Sequence, residues 1–325
     1  MLTRLGMWAD QKSHVAPWTN VYGLARTLLA LGTLSTLAAS PTETLFRPVA
    51  GIPQAPLCES VARASLFCLV PRTYLGVTQA VLVLILAIVA SGWRPRLTAI
   101  PHWWVSWSVA ASIALPDGGD QVAVVLTLIL LPVALTDGRC WHWDSPASPS
   151  TRFGGAALAL VGVSSLFVSR LQVAAVYLHS GLAKLGVQEW RDGTAMYYWL
   201  QQPGFGPTPL LRGPLLALTE TAPGVALLTW TPIALELALA TSILMSPRAR
   251  RILLPVGISF HLAIAAMMGL VSFAFSMIAA LILLLWPRDV RFVLPLRPAR
   301  MVFTLTRRAG PGEGRHVEVG LDPGR

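Results

Sequence analysis

Residues 252 to 286 read Ile252-Leu-Leu-Pro-Val-Gly-Ile-Ser-Phe-His261-Leu-Ala-Ile-Ala-Ala-Met-Met-Gly269-Leu-Val-Ser-Phe-Ala-Phe-Ser-Met-Ile-Ala-Ala-Leu-Ile-Leu-Leu-Leu-Trp286, without one Asp, Glu, Lys or Arg. A helix that crosses the hydrocarbon core of a bilayer needs about 20 residues, so the stretch is too long for one ordinary span. A break near Gly269–Ser272 divides it into spans at 252–269 and 271–286. One long bent helix, giving seven spans in all, is the competing reading.

Upstream, further apolar runs lie at about 21–39, 74–91, 99–115, 121–136, 156–185 and 223–246. The chain is 54% hydrophobic and 12% charged, with a mean hydropathy of +0.61. Soluble domains carry about 25% charged residues. The expected fold class is therefore all-α, a polytopic integral-membrane helical bundle of about eight transmembrane helices. The third run is aromatic at its entry (Trp103, Trp104, Trp107), as an interfacial belt is. The first run is read as an uncleaved helix rather than a signal peptide, because twenty residues precede it and seven spans follow. A net charge of +10 does not imply nucleic acid: the basic residues sit in short loops and a tail, with no aromatic-interleaved groove.

The placement of the basic residues orients the chain. Segments 1–20, 92–98, 138–152, 247–251 and 287–325 hold 17 of the 25 lysines and arginines, whereas 40–73, 116–120 and 186–222 hold five. The positive-inside rule then puts both termini in the cytoplasm of a multi-pass cell-membrane protein. The expected organisation is a cytoplasmic segment at 1–20, a transmembrane domain at 21–287, and a basic, partly disordered cytoplasmic tail at 288–325. Cys58 and Cys68 share the first outer loop, where two thiols can pair as a disulfide; two free, half-buried cysteines are the alternative. Cys140 falls on the inner side.

Few residues inside the spans carry chemistry. Lys184 ends the fifth run, and Arg170, Tyr177 and Lys184 recur every seven residues on one stripe, with Ala174 and Gly181 between them. Small residues let a neighbouring helix approach. A lysine in apolar surroundings can act as a base, whereas one at an interface merely snorkels. Glu236 is the only acid deep inside a span, so it needs a partner, and Lys184, Arg170 and His261 are the candidates. His261 and His179 are proton-relay candidates or hydrogen-bonded structural residues. Trp190, Asp192, Gly193 and Tyr197 lie in the aromatic loop 186–222, which can bind a peptide, cap a pocket or lie at the lipid interface. Trp141-His-Trp143 reads as an inner-interface anchor. No His-x-x-x-His or Cys-x-x-Cys occurs, and no metal is expected.

Three stretches carry a resemblance: Asn20-Val-Tyr-Gly-Leu-Ala-Arg-Thr through Thr33, the segment Tyr177 to Gly193, and His261-Leu-Ala-Ile through Phe273. Over about residues 15–290 the chain resembles the sporulation-delaying protein B (SdpB) family. Its membrane domain is of the HTTM type, similar to the integral-membrane part of vitamin K-dependent γ-carboxylase. Ser180-Gly-Leu-Ala-Lys-Leu followed by Trp190-Arg-Asp-Gly is similar to the carboxylase segment whose lysine activates reduced vitamin K, and that lysine aligns with Lys184. The resemblance implies maturation of an exported antimicrobial or toxin peptide precursor together with a small SdpA-like partner. Together with the reading of the residues, it gives an expected site built from Lys184, Glu236 and His261, with Tyr177, His179, Trp190, Asp192, Gly193 and Tyr197 as substrate-binding candidates. A reduced-quinone-dependent carboxylase or oxidoreductase, and a transporter or immunity protein, are the alternatives.

Overall fold

The computed structural model describes residues 15–48, 55–56, 58–145, 154–202 and 206–287. The basic tail, the first fourteen residues and part of the loop before Pro207 lie outside them. Eight long helices carry the fold: α1 (Asn20–Ala39), α2 (Leu75–Ser91), α3 (Pro95–Ser112), α4 (Gly118–Thr136), α5 (Gly155–Leu185), α6 (Ala222–Thr241), α7 (Pro247–Met268) and α8 (Val271–Leu285). Six of them are long and apolar enough to cross a membrane, α3 and α8 being the exceptions. The chain is an all-α polytopic membrane bundle.

Local chemistry sets the helix ends. Thr19, Thr221 and Ser246 accept backbone N–H bonds at the starts of α1, α6 and α7, and Asp117 with Asp120 forms a capping box at α4. Gly269 adopts φ +74° at the end of α7, a conformation open to glycine, and the chain turns directly into α8. The 252–286 stretch is thus two helices. Pro95 at the first turn starts α3 four residues before the expected 99. As a result Trp103, Trp104 and Trp107 lie well inside the helix instead of at its entry. Trp104 reaches out to donate to the Ala64 carbonyl at 2.9 Å.

α8 occupies the centre. It packs on α1, α4, α5 and α7, and every residue from Ala279 to Leu285 is buried. Its 15 residues rise only about 22 Å, less than the hydrocarbon thickness, which is acceptable for a helix surrounded by protein. A second apolar cluster joins α1, α2 and α3 through Leu37, Leu82, Leu86, Val105 and Val109, and takes in Phe46 and Phe67 from the connection between α1 and α2. In that connection Cys58 and Cys68 are joined as a disulfide.

Opposite the Lys184 end of the bundle lies a buried polar cluster. Arg26 donates to Thr98 Oγ1 at 2.7 Å, Arg139 pairs with Asp137 at 2.8 Å, and His142 Nε2 lies 3.2 Å from Thr27 Oγ1. His142 is wholly buried, which corrects the interface-anchor reading of Trp141-His-Trp143. Its ring fits because residues 23 and 92 are glycines: a Cβ on Gly23 would lie 2.8 Å from the ring and one on Gly92 2.6 Å. Trp141 stays exposed, and Trp143 donates to the Ser91 carbonyl at 2.8 Å. Burial first, then Arg26 and Arg139, push the His142 pKa down to about 2.

Candidate functional site

α5 is 31 residues long and carries Lys184 into its last turn. Gly181, one turn earlier, lets α6 come close: a Cβ there would lie 3.0 Å from Leu237 Cδ2 and 3.7 Å from Glu236 Cβ. That approach brings the Glu236 carboxylate under the amine. Lys184 Nζ donates to Glu236 Oε2 at 2.7 Å, to Oε1 at 2.8 Å and to Ser180 Oγ at 2.8 Å. The Ser180 hydroxyl donates in turn to Glu236 Oε1 at 3.1 Å. The Trp190 ring faces the amine with its centroid at 5.4 Å, within cation–π range.

The cluster is mostly withdrawn from solvent, with the Lys184 and Glu236 side chains 20% and 9% exposed. An ion pair in such surroundings is sustained only when both partners are well hydrogen-bonded, which Ser180 helps to ensure. All three ammonium hydrogens have acceptors. To act as a base, Lys184 must first release a proton, and Glu236 is the adjacent acceptor.

The pair stands on the wall of a cavity of about 820 Å³ between α4, α5, α7 and α8. Tyr177 and His261 meet on the same wall system, with Tyr177 Oη 2.8 Å from His261 Nε2. Phe260 and Phe273 hold the imidazole edge-on. The remaining lining is chiefly aliphatic. Among the described residues, no three of His, Cys, Asp and Glu come together as metal ligands.

Of the residues singled out from the sequence, Lys184, Glu236, His261, Tyr177, His179 and Trp190 line this cavity. Asp192, Gly193 and Tyr197 do not. The segment expected as a loop forms short helices at Gln188–Arg191, Ala195–Gln201 and Pro209–Thr219, and these carry the three residues aside. Gly193 turns with φ +78° against Trp230, Tyr197 meets Tyr198 edge to face, and Asp192 is exposed. Arg170 is not the partner that Glu236 takes: its guanidinium donates to the carbonyls of Leu283 and Trp286 at the end of α8. Ser180 had no role of its own in the sequence reading, although a hydroxyl one turn before a lysine was the available signal. Gln121 and Gln172, also lining residues, carried no signal.

The HTTM domain model matches residues 124–288, which contain every residue of this cluster. The sporulation-delaying protein SdpB of Bacillus subtilis (strain 168) is 35% identical over 276 residues, covering 83% of this chain and 82% of SdpB. The chain belongs to the SdpB-like HTTM family. A second member, the uncharacterized protein YitO of the same organism, is 40% identical over 278 residues, covering 84% of this chain and 87% of YitO. No solved structure matches. The HTTM match begins inside α4, so the Arg26–His142 cluster straddles its start, with Arg26, Thr27 and Thr98 before it and Asp137, Arg139 and His142 within it, whereas the Lys184 cluster lies wholly within it.

Proposed function

We propose that this chain is an SdpB-like membrane factor for the maturation of an exported peptide, and that its working site is the Lys184–Glu236–Ser180 cluster. The observation that carries the reading is the position of a saturated ion pair at the head of a large intramembrane cavity, in a chain that aligns with SdpB along more than four-fifths of both proteins. With the basic loops cytoplasmic, the end of α5 faces outward, on the side a precursor reaches after export. An SdpA-like protein is the expected partner.

In the working step, proton transfer from Lys184 to Glu236 frees an amine lone pair within the cavity, while Ser180 stays bonded to the carboxyl group. Tyr177 and His261 offer a second donor–acceptor couple a helix turn or two deeper. Quantifying the mature peptide secreted by cells that carry the chain, an SdpA-like protein and a candidate exported precursor tests the reading. Lys184→Met should lower the yield per molecule of membrane-inserted protein by about two orders of magnitude, the usual scale for loss of a general base. Lys184→Arg keeps the charge but cannot deprotonate, so it restores binding and not base catalysis. Normal maturation by the methionine variant would overturn the reading.

A further inference from the structure

The cavity has a shape that the ion pair does not explain. It follows α5 from Gln172 to Lys184, a path of about 18 Å at 1.5 Å per residue, and continues past the helix end to Val187. The volume of about 820 Å³ is spread along that path. An extended peptide would leave backbone N–H and C=O groups facing Val125, Val176, Ile264 and Met277, which offer them no hydrogen bonds. An unbranched hydrocarbon chain suits these walls, because it has no polar groups to satisfy.

The way in is lateral. α7 packs chiefly on α8 and only slightly on α6, and it is the least buried of the six long apolar helices. The cleft between α7 on one side and α4 and α5 on the other therefore faces the bilayer, where lipid is the most concentrated ligand available. The polar residues are graded along the cleft. Lys184, Ser180, Glu236 and Trp190 cluster toward one end, and Leu126, Val173 and Ala280 lie toward the other, with Gln172 the polar side chain among them. Because the Lys184 ammonium is already saturated by Glu236 and Ser180, the head of the ligand lies beside the pair and is not bound as its counter-ion.

We propose that one acyl chain of a membrane phospholipid occupies this cleft, with its head beside Lys184 and its tail on the α8 floor. It forms the apolar wall of the site and keeps water from the ion pair. The proposal rests on the reading of the Lys184 cluster as the working site.

The test uses the full-length protein in nanodiscs of phosphatidylglycerol bearing a photoactivatable diazirine on one acyl chain, with adducts mapped by peptide mass spectrometry. Adducts are expected on Val173 and Met277, which are buried, as well as on the outward Leu171, Leu178 and Leu182. Ala175 and Ala183 line the cleft but are exposed, so Ala175→Phe, or Ala183→Phe if the first variant is misfolded, fills it from outside. Either should lower the Val173 and Met277 adducts by about tenfold, the scale of an overpacked apolar site, and leave the outward adducts unchanged. Adducts confined to the outward leucines, or labelling of Val173 and Met277 by a polyprenyl-quinone probe but not by the acyl probe, would overturn the proposal. Lys184→Met separates it from the functional reading. Retained inner adducts with normal maturation sink the functional reading and leave the lipid; absent inner adducts with abolished maturation do the reverse.

Discussion

Lys184→Met should destabilise the bundle, and adding Glu236→Leu should recover stability without recovering maturation. The methionine substitution removes three donated bonds of 2.7–2.8 Å and leaves the Glu236 carboxylate with only the Ser180 hydroxyl at 3.1 Å. Stranding one member of a buried pair costs about 3–5 kcal/mol. Lys184 is a fifth exposed, so the lower end applies, about 3 kcal/mol. Leucine in place of Glu236 removes the stranded group, and apolar replacement of a whole buried pair is neutral or stabilising. With each single down by about 3 kcal/mol and the double near neutral, the double-mutant cycle should give a coupling of about 5–6 kcal/mol. The assay is thermal melting of the purified full-length wild type, both single variants and the double variant. Each single should melt about 6 °C or more below wild type, at about 2 °C per kcal/mol for a domain of this size, and the double should recover most of the loss. Singles that melt with the wild type, or a double that falls by the sum of the two, would refute the claim that the pair is buried and coupled.

Gly181→Val should break the site without touching its polar groups: the added carbon atoms push α6 off α5, so peptide maturation falls at least as far as in Lys184→Met while Lys184 and Glu236 remain. His142 should make stability pH-dependent. Its folded pKa is pushed down to about 2 while the unfolded value is ordinary, so the stability is complete above about pH 6.5 and is lost as pH falls, by about 1.4 kcal/mol per unit. Melting between pH 7 and pH 5 should show this slope, and His142→Gln should flatten it. Reporter fusions after residues 95, 145 and 249 should be cytoplasmic and one after 205 external; a cytoplasmic signal at 205 would reverse the proposed orientation of the Lys184 site.

Much of the site was legible because charge in an apolar chain is rare. Lys184 and Glu236 stand out against their neighbours, and a buried carboxylate demands a partner. Which partner was not legible. Lys184, Arg170 and His261 all met the requirement, and only the close approach of α6 at Gly181 selects Lys184, while the end of α8 takes Arg170 and Tyr177 takes His261. Asp192, Gly193 and Tyr197 are near Lys184 in sequence, yet short helices and the turn at Gly193 lead them away from the cavity.

The sequence by itself determined the all-α membrane class and the rough limits of the apolar runs, because length and hydropathy are local properties, whereas the structure decided that the last run breaks at Gly269 rather than bends. Tertiary structure alone decided that α8 is the central helix, that α7 is the outermost of the long ones, and that His142 is buried. Lipid tails and protein interiors are equally apolar, so hydrophobicity does not tell a lipid-facing helix from a buried one. What separates them is packing: the small residues at Gly23, Gly92 and Gly181 and the side chains that close upon them.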